Sequence, residues 1–259
     1  MSFLRKDIVC AVLAMVIGAP AVAASEPRPV MDLPVMQVSE YSVGNSFDKA
    51  NLLFDRLQAL LVKNDPSAIV HLWATDFAGG RSDRIVVTSE FASPDEMGQL
   101  VAHLAVSPEY QRWKEVARAA GVRKEMENLL GSLKMDSFPA PDEPNRPDGT
   151  PLVRQFHEFN VRGNGAAFIN LFNRVNVMHR RHQTHASVRL WRTSWGGPEV
   201  DRYMVTVEFP NWRALTDVGT SIEETPEWAQ LQKDMGALDM VRLGEFIGTE
   251  LPRPKRAVR

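Results

Sequence analysis

The sequence predicts an α+β protein made of two copies of a β-α-β-β-α-β unit. Three observations predict it: an ungapped internal repeat, the same element order in both copies, and a proline-dense segment between them. Setting residue n against n+118 brings Leu72-Trp73 onto Leu190-Trp191 and Asp83-Arg84 onto Asp201-Arg202. Thr88, Glu90 and Phe91 meet Thr206, Glu208 and Phe209, and Pro108-Glu109 meets Pro226-Glu227. Leu53, Phe54 and Arg56 meet Leu171, Phe172 and Arg174. Over residues 35–109, roughly 20 of about 75 positions agree at one offset, where chance gives about five.

Each element follows from a local pattern. In the second copy, Leu152 to Val161 alternates like a strand, and Asn164 to Arg181 carries Phe168, Leu171, Phe172, Val175 and Met178 at helical spacing. The matching first-copy helix is Ser46 to Lys63, with Ser46 as its N-cap and Pro66 just past its end. Two strands follow, Ala68 to Asp76 and Asp83 to Phe91, around Gly79-Gly80. Their counterparts are Ala186 to Ser194 and Asp201 to Phe209, around Gly196-Gly197. Next come a helix from about Pro94 and a restart at Ser107-Pro108-Glu109, which the second copy repeats as Thr225-Pro226-Glu227. A hydroxyl residue, then proline, then an acid is an N-cap, an N1 proline and a first-turn carboxylate. A weaker last strand is expected near Lys124–Leu133 and Arg242–Leu251. This order is the ferredoxin-like split βαβ arrangement. Helices cover one sheet face, and the other carries apolar side chains, so two units are expected to pack sheet to sheet as a pseudo-dimeric α/β barrel.

The chain organisation is then a leader over 1–24, a first repeat over 35–133, a Pro-rich linker over 134–151, a second repeat over 152–251 and a basic tail over 252–259. Arg5 and Lys6, an apolar run from Ile8 to Ile17 and the small-residue site Ala21-Val22-Ala23 read as a secretory signal peptide. Export to the periplasm or medium is the expected localisation. Cleavage would remove Cys10, the one cysteine, and with it thiolate and disulfide chemistry. The 259 residues are 44% hydrophobic and 24% charged, which excludes a disordered or fibrous chain. A net charge of −2 does not point to nucleic acid. Beyond the leader no segment is apolar enough for stable membrane insertion. The chain reads as a monomer or homodimer.

The stretch Leu72-Trp73-Ala74-Thr75, the strand end Thr88-Ser89-Glu90-Phe91 and the helix start Ser107-Pro108-Glu109-Tyr110 resemble the dimeric α/β-barrel superfamily. That group includes antibiotic-biosynthesis-monooxygenase-like and NIPSNAP-like domains. Its members include cofactor-free oxygenases, haem-handling proteins and many of unknown role. The resemblance implies a fold and leaves the activity open.

Candidate site residues come from strand faces and from differences between the copies. Arg84, Thr88 and Glu90, with Arg202, Thr206 and Glu208, alternate toward the space between the sheets. Alternation does not decide the face of His71, Trp73 and Thr75, or of Arg189, Trp191 and Thr193. Glu90 and Glu208 read as a general base or ligand anchor, or as ion-pair partners of Arg84/Arg202 or Arg56/Arg174. His71 stands against Arg189, Ser39 against His157 and Ala74 against Arg192. The second copy thus gains His157, Arg189 and Arg192 near Trp191, a set suited to an anionic aromatic ligand or else a solvated strand edge. His157 and Glu208 are the candidate bases. His179, His182 and His185 offer metal-ligand spacing, or complement the dipole at a helix C-terminus. No motif for a cofactor is present. The leading expectation is a small apolar or aromatic ligand held between the two sheets. The alternatives are a cofactor-independent monooxygenase-like enzyme and a structural or interaction module with a filled core.

Overall fold

The computed structural model describes residues 34–43, 47–77, 83–132, 151–193 and 201–251. The leader, the linker before Pro151, the tail, the Ser46 cap and both glycine turns lie outside the described residues. The first half runs β1 (Val35–Ser42), α1 (Phe47–Asn64), β2 (Ile69–Phe77), β3 (Arg84–Phe91), α2 (Pro94–Val106), α3 (Pro108–Ala119) and β4 (Arg123–Ser132). The second runs β5 (Val153–Asn160), α4 (Gly165–Arg181), β6 (Ser187–Thr193), β7 (Arg202–Phe209), α5 (Trp212–Val218), α6 (Pro226–Gly236) and β8 (Val241–Glu250).

The helix starts are made by the residues that predict them. Ser93, Ser107 and Thr225 each accept a hydrogen bond from the amide three residues on, at 3.2, 3.3 and 3.1 Å, with proline following. Each cap stabilises its helix by about 1 kcal/mol. The halves differ at α5. It is seven residues long and opens into a π-helical turn, Gly219–Glu223, where α2 continues as regular helix. Gly219, Thr220 and Ser221 replace Val101, Ala102 and His103 there, and glycine in particular weakens the helical ladder. The last strands, expected to be weak, are ten residues each. Neighbours on both sides hold them, so pairing outweighs their indifferent local propensity.

All eight strands are antiparallel and close into one barrel in the order β1-β3-β2-β8-β5-β7-β6-β4. Closure removes the unpaired sheet edges that invite aggregation. β1 pairs β3 from Val35↔Phe91 to Ser42↔Arg84, and β5 pairs β7 from Val153↔Phe209 to Asn160↔Arg202. A bulge falls at Glu40/Tyr41 between β1 and β4, and at Glu158/Phe159 between β5 and β8. The seams between halves obey the same offset: Trp73↔Glu250 on one side, Trp191↔Ser132 on the other. At the first seam Gly248 is required by space, because a Cβ there would lie 2.9 Å from the Trp73 Cβ.

The strands bury both faces. Outside, the helices of the first half cover Leu72, Ile85, Val87 and Phe91, and those of the second cover Val188, Leu190, Tyr203 and Phe209. Inside, Met36, Val38, Trp73, Val86, Leu152, Phe156, Trp191 and Met204 form one cluster contributed by both halves. Among the described residues no helix is long and apolar enough to cross a membrane. Residues 34–136 expressed without the second half would leave that inner face open, and are expected to self-associate. Light scattering on the eluted fragment checks this; a stable monomer would show that closure is not needed.

Candidate functional site

Strand alternation decides what fills the barrel. β3 and β7 turn Thr88 and Glu90, and Thr206 and Glu208, inward. The structure now places β2 and β6 as well: His71, Trp73, Arg189 and Trp191 share that inner face. Trp73 donates its indole N–H to Thr88 Oγ1 at 2.9 Å, and Trp191 donates to Thr206 Oγ1 at 3.0 Å. Both indoles are sealed from solvent, at 0% and 1% exposure. Phe156 stacks on Phe246 at 4.3 Å between ring centroids.

A charge network crosses this interior. Arg154 of β5 is buried and donates Nε–H to Glu208 Oε2 at 2.8 Å; its Nη2 also bonds Glu208 and reaches Glu90 Oε1 at 3.2 Å. Arg189 bonds the other Glu90 oxygen. The Arg154 guanidinium lies 4.6 Å from the centre of the Trp73 ring, a cation–π contact. His71 stacks on Trp73 and places Nδ1 2.8 Å from Glu250 Oε1, while Glu250 Oε2 accepts the Leu152 N–H. Burial alone would push the Glu90 carboxyl up. Arg154, Arg189 and His71 beside it outweigh that and hold it below the ordinary carboxylate range. A carboxylate held ionised, with its lone pairs taken by guanidinium N–H groups, is a poor general base. The network is suited to clamping strands together.

The partner of Glu90 and Glu208 is therefore Arg154, joined at Glu90 by Arg189. Arg84 instead pairs with Glu40, Arg202 with Glu158 at 3.0 Å, and Arg174 with Asp234 on the helices. Sequence reasoning missed Arg154, although the signal that raised His71 and Arg189 marks it too. At the repeat offset it stands opposite Met36.

The trio His157, Arg189 and Arg192 is not one site. Arg189 and Arg192 are three apart in one strand, so alternation sends Arg189 inward and Arg192 outward, 5.9 Å from the centre of the Tyr203 ring. His157 also faces outward. Its Nδ1 is 3.1 Å from Glu245 Oε1 without hydrogen-bond alignment, and burial holds its pKa below the ordinary value.

The histidine run does not converge either. His179 is buried under α4 and bonds Thr184 Oγ1 through Nδ1 at 2.8 Å. His182 caps the helix, and His185 sits in the turn beyond with φ 54°. Among the described residues no three His, Cys, Asp or Glu side chains come together as metal ligands. Burial, with a smaller contribution from His182, pushes His179 down to about 4.

A concave surface does occur outside the barrel, between α1 and α3. It is a groove of about 410 Å3 floored by Leu53, Leu60, Trp113 and Val116. Trp113 is locked in place by its indole N–H, which donates to the Leu53 carbonyl at 2.7 Å.

Two outcomes follow. Arg154→Met would leave Glu90 and Glu208 without their shared cation and should cost about 3–5 kcal/mol in chemical denaturation. Adding Glu90→Gln and Glu208→Gln should recover part of it. His179 is neutral when folded, so its contribution is present above pH 6.5 and is lost as pH falls toward about 4. The loss is of order 3 kcal/mol. His179→Leu, with the residue found at the matching position 61, should flatten the change in urea midpoint between pH 7 and 4.5 if this linkage holds.

No known protein family matches the chain by sequence, and no curated protein does. Solved structures resemble it. A proposed monooxygenase from Lactobacillus acidophilus aligns with TM-score 0.54 at 6% identity, covering 85% of this chain and 93% of the other. A proposed monooxygenase from Fusobacterium nucleatum aligns with TM-score 0.55 at 7% identity, covering 86% and 93%. A chlorite dismutase variant from Candidatus Nitrospira defluvii aligns with TM-score 0.50 at 9% identity, covering 85% and 91%. These neighbours belong to the dimeric α/β-barrel superfamily, and what this chain shares with them is the fold.

Proposed function

We propose that this chain is a non-catalytic binding module, whose barrel interior serves the fold and whose ligand meets the helix-covered outside. One observation carries the reading. The described interior is filled by Trp73, Trp191 and the Arg154 network, whereas an apolar-floored groove lies open between α1 and α3. A ligand between the sheets would have to displace fully buried indoles and paired charges. Export by way of residues 1–24 remains part of the proposal.

We also infer that the two halves stand in for two subunits and arose by duplication, giving a pseudo-dimeric barrel. Support comes from strand registers that repeat at one offset within each half and across both seams. The likeness to proposed monooxygenases supports a second reading, an oxidative enzyme, at the level of fold alone.

Native mass spectrometry of the exported chain, together with oxygen uptake over a panel of aromatic diols, separates the two. The expected result is the bare chain and no uptake above background. Turnover that disappears in Glu208→Gln or His157→Ala, or a retained haem or other redox group, would overturn the non-catalytic reading.

A further inference from the structure

We propose that the groove between α1 and α3 binds a free apolar monocarboxylate, through guanidinium groups left without a counter-ion. The proposal rests on the binding-module reading and specifies its site and ligand class.

The second half supplies an internal control. There α4 and α6 are laced by two ion pairs. Arg174 Nη1 donates to Asp234 Oδ2 at 2.5 Å, and Arg181 Nη1 donates to Glu227 Oε2 at 2.6 Å. Gln230 adds a hydrogen bond to the other Asp234 oxygen at 2.7 Å. The formal charges of that set cancel.

Shifted by the repeat offset, the same helices in the first half keep one pair and lose the other. Lys63 and Glu109 stand where Arg181 and Glu227 do, and remain paired at 3.1 Å. Arg56 stands where Arg174 does, but Val116 occupies the place of Asp234 and Arg112 that of Gln230. Among the described residues neither Arg56 nor Arg112 has a hydrogen-bond or ion-pair partner. A neutral, cross-linked helix pair has become a groove with three cations and one anion on its walls.

The two substitutions act in one direction. Asp to Val removes a negative charge and extends the apolar floor; Gln to Arg adds a guanidinium. A carboxylate is the group a guanidinium fork recognises by two parallel N–H···O bonds. The floor of Leu53, Leu60 and Val116 calls for an apolar body behind it. The volume of about 410 Å3 falls in the range of sites for small molecules. A bare inorganic anion would leave the floor uncovered, and an alcohol of the same shape would leave the cations unmatched.

Calorimetric titration of the full chain with dodecanoate, below its micellar concentration, tests this. One molecule should bind per chain, with dodecanol and dodecyltrimethylammonium at least tenfold weaker. Val116→Asp puts back the anion that Asp234 supplies in the second half and should weaken dodecanoate at least tenfold, as should Arg56→Ala with Arg112→Ala. All three positions are exposed, so a circular dichroism spectrum should confirm an unchanged fold. The gain-of-function variant Gln230→Arg with Asp234→Val should raise the stoichiometry from one to two. Equal affinity for dodecanol, unchanged affinity in Val116→Asp, or binding to anionic vesicles without binding to free dodecanoate would overturn the proposal. Absence of both binding and turnover sinks the groove alone. Oxidation of the bound probe sinks the non-catalytic reading and leaves the site standing.

Discussion

The barrel is organised around one buried cation, Arg154, shared between Glu208 of its own half and Glu90 of the other. A charge this deep in the protein must be matched by groups already in place, since removing it from water costs several kcal/mol. The match needs both halves at once. Glu90 and His71 come from the first, and Arg154, Arg189, Glu208 and Glu250 from the second. Sliding a seam by one residue would turn inward-facing charges outward and apolar ones to the wrong face. The network therefore fixes register as well as closure.

The same network explains why the halves differ inside although their backbones repeat. Two copies of the first half, paired as the two halves are here, would bring two Glu90 carboxylates to the centre with Met36 in place of the arginine. Like charges there would repel without the arginine that lies between them here. Arg154 thus supplies, from the second half, the cation that the first half lacks at the matching position. The outer surface diverges by the same rule: an ion pair kept on one helix layer is lost on the other. In both places the repeated backbone holds matching positions in matching geometry, and a single changed charge alters what the position can do.

Much of the fold was legible from short-range pattern. Alternation in β3 and β7 identifies Glu90 and Glu208 as inward-facing, and the Ser-Pro-Glu and Thr-Pro-Glu starts predict caps that the structure contains. The site was less legible. Glu90 meets Arg154 across 64 residues of chain and Arg189 across 99, and no local period encodes which distant strands become neighbours. His157, Arg189 and Arg192 look close in aligned copies, yet strand pleat separates them. The groove depends on two helices whose facing residues, Arg56 and Val116, matter only once they oppose each other.

By itself the sequence determined the elements, their order, their twofold recurrence and the inner face of two strands, because those follow from periods of two and 3.6 residues and from cap chemistry within a few positions. Only the tertiary structure decided the barrel's order, the partners of its buried charges, the apolar cluster shared by both halves and the groove outside. Each of these is a property of surfaces brought together across the chain, where free energy depends on complementary shape and charge rather than on spacing along the sequence.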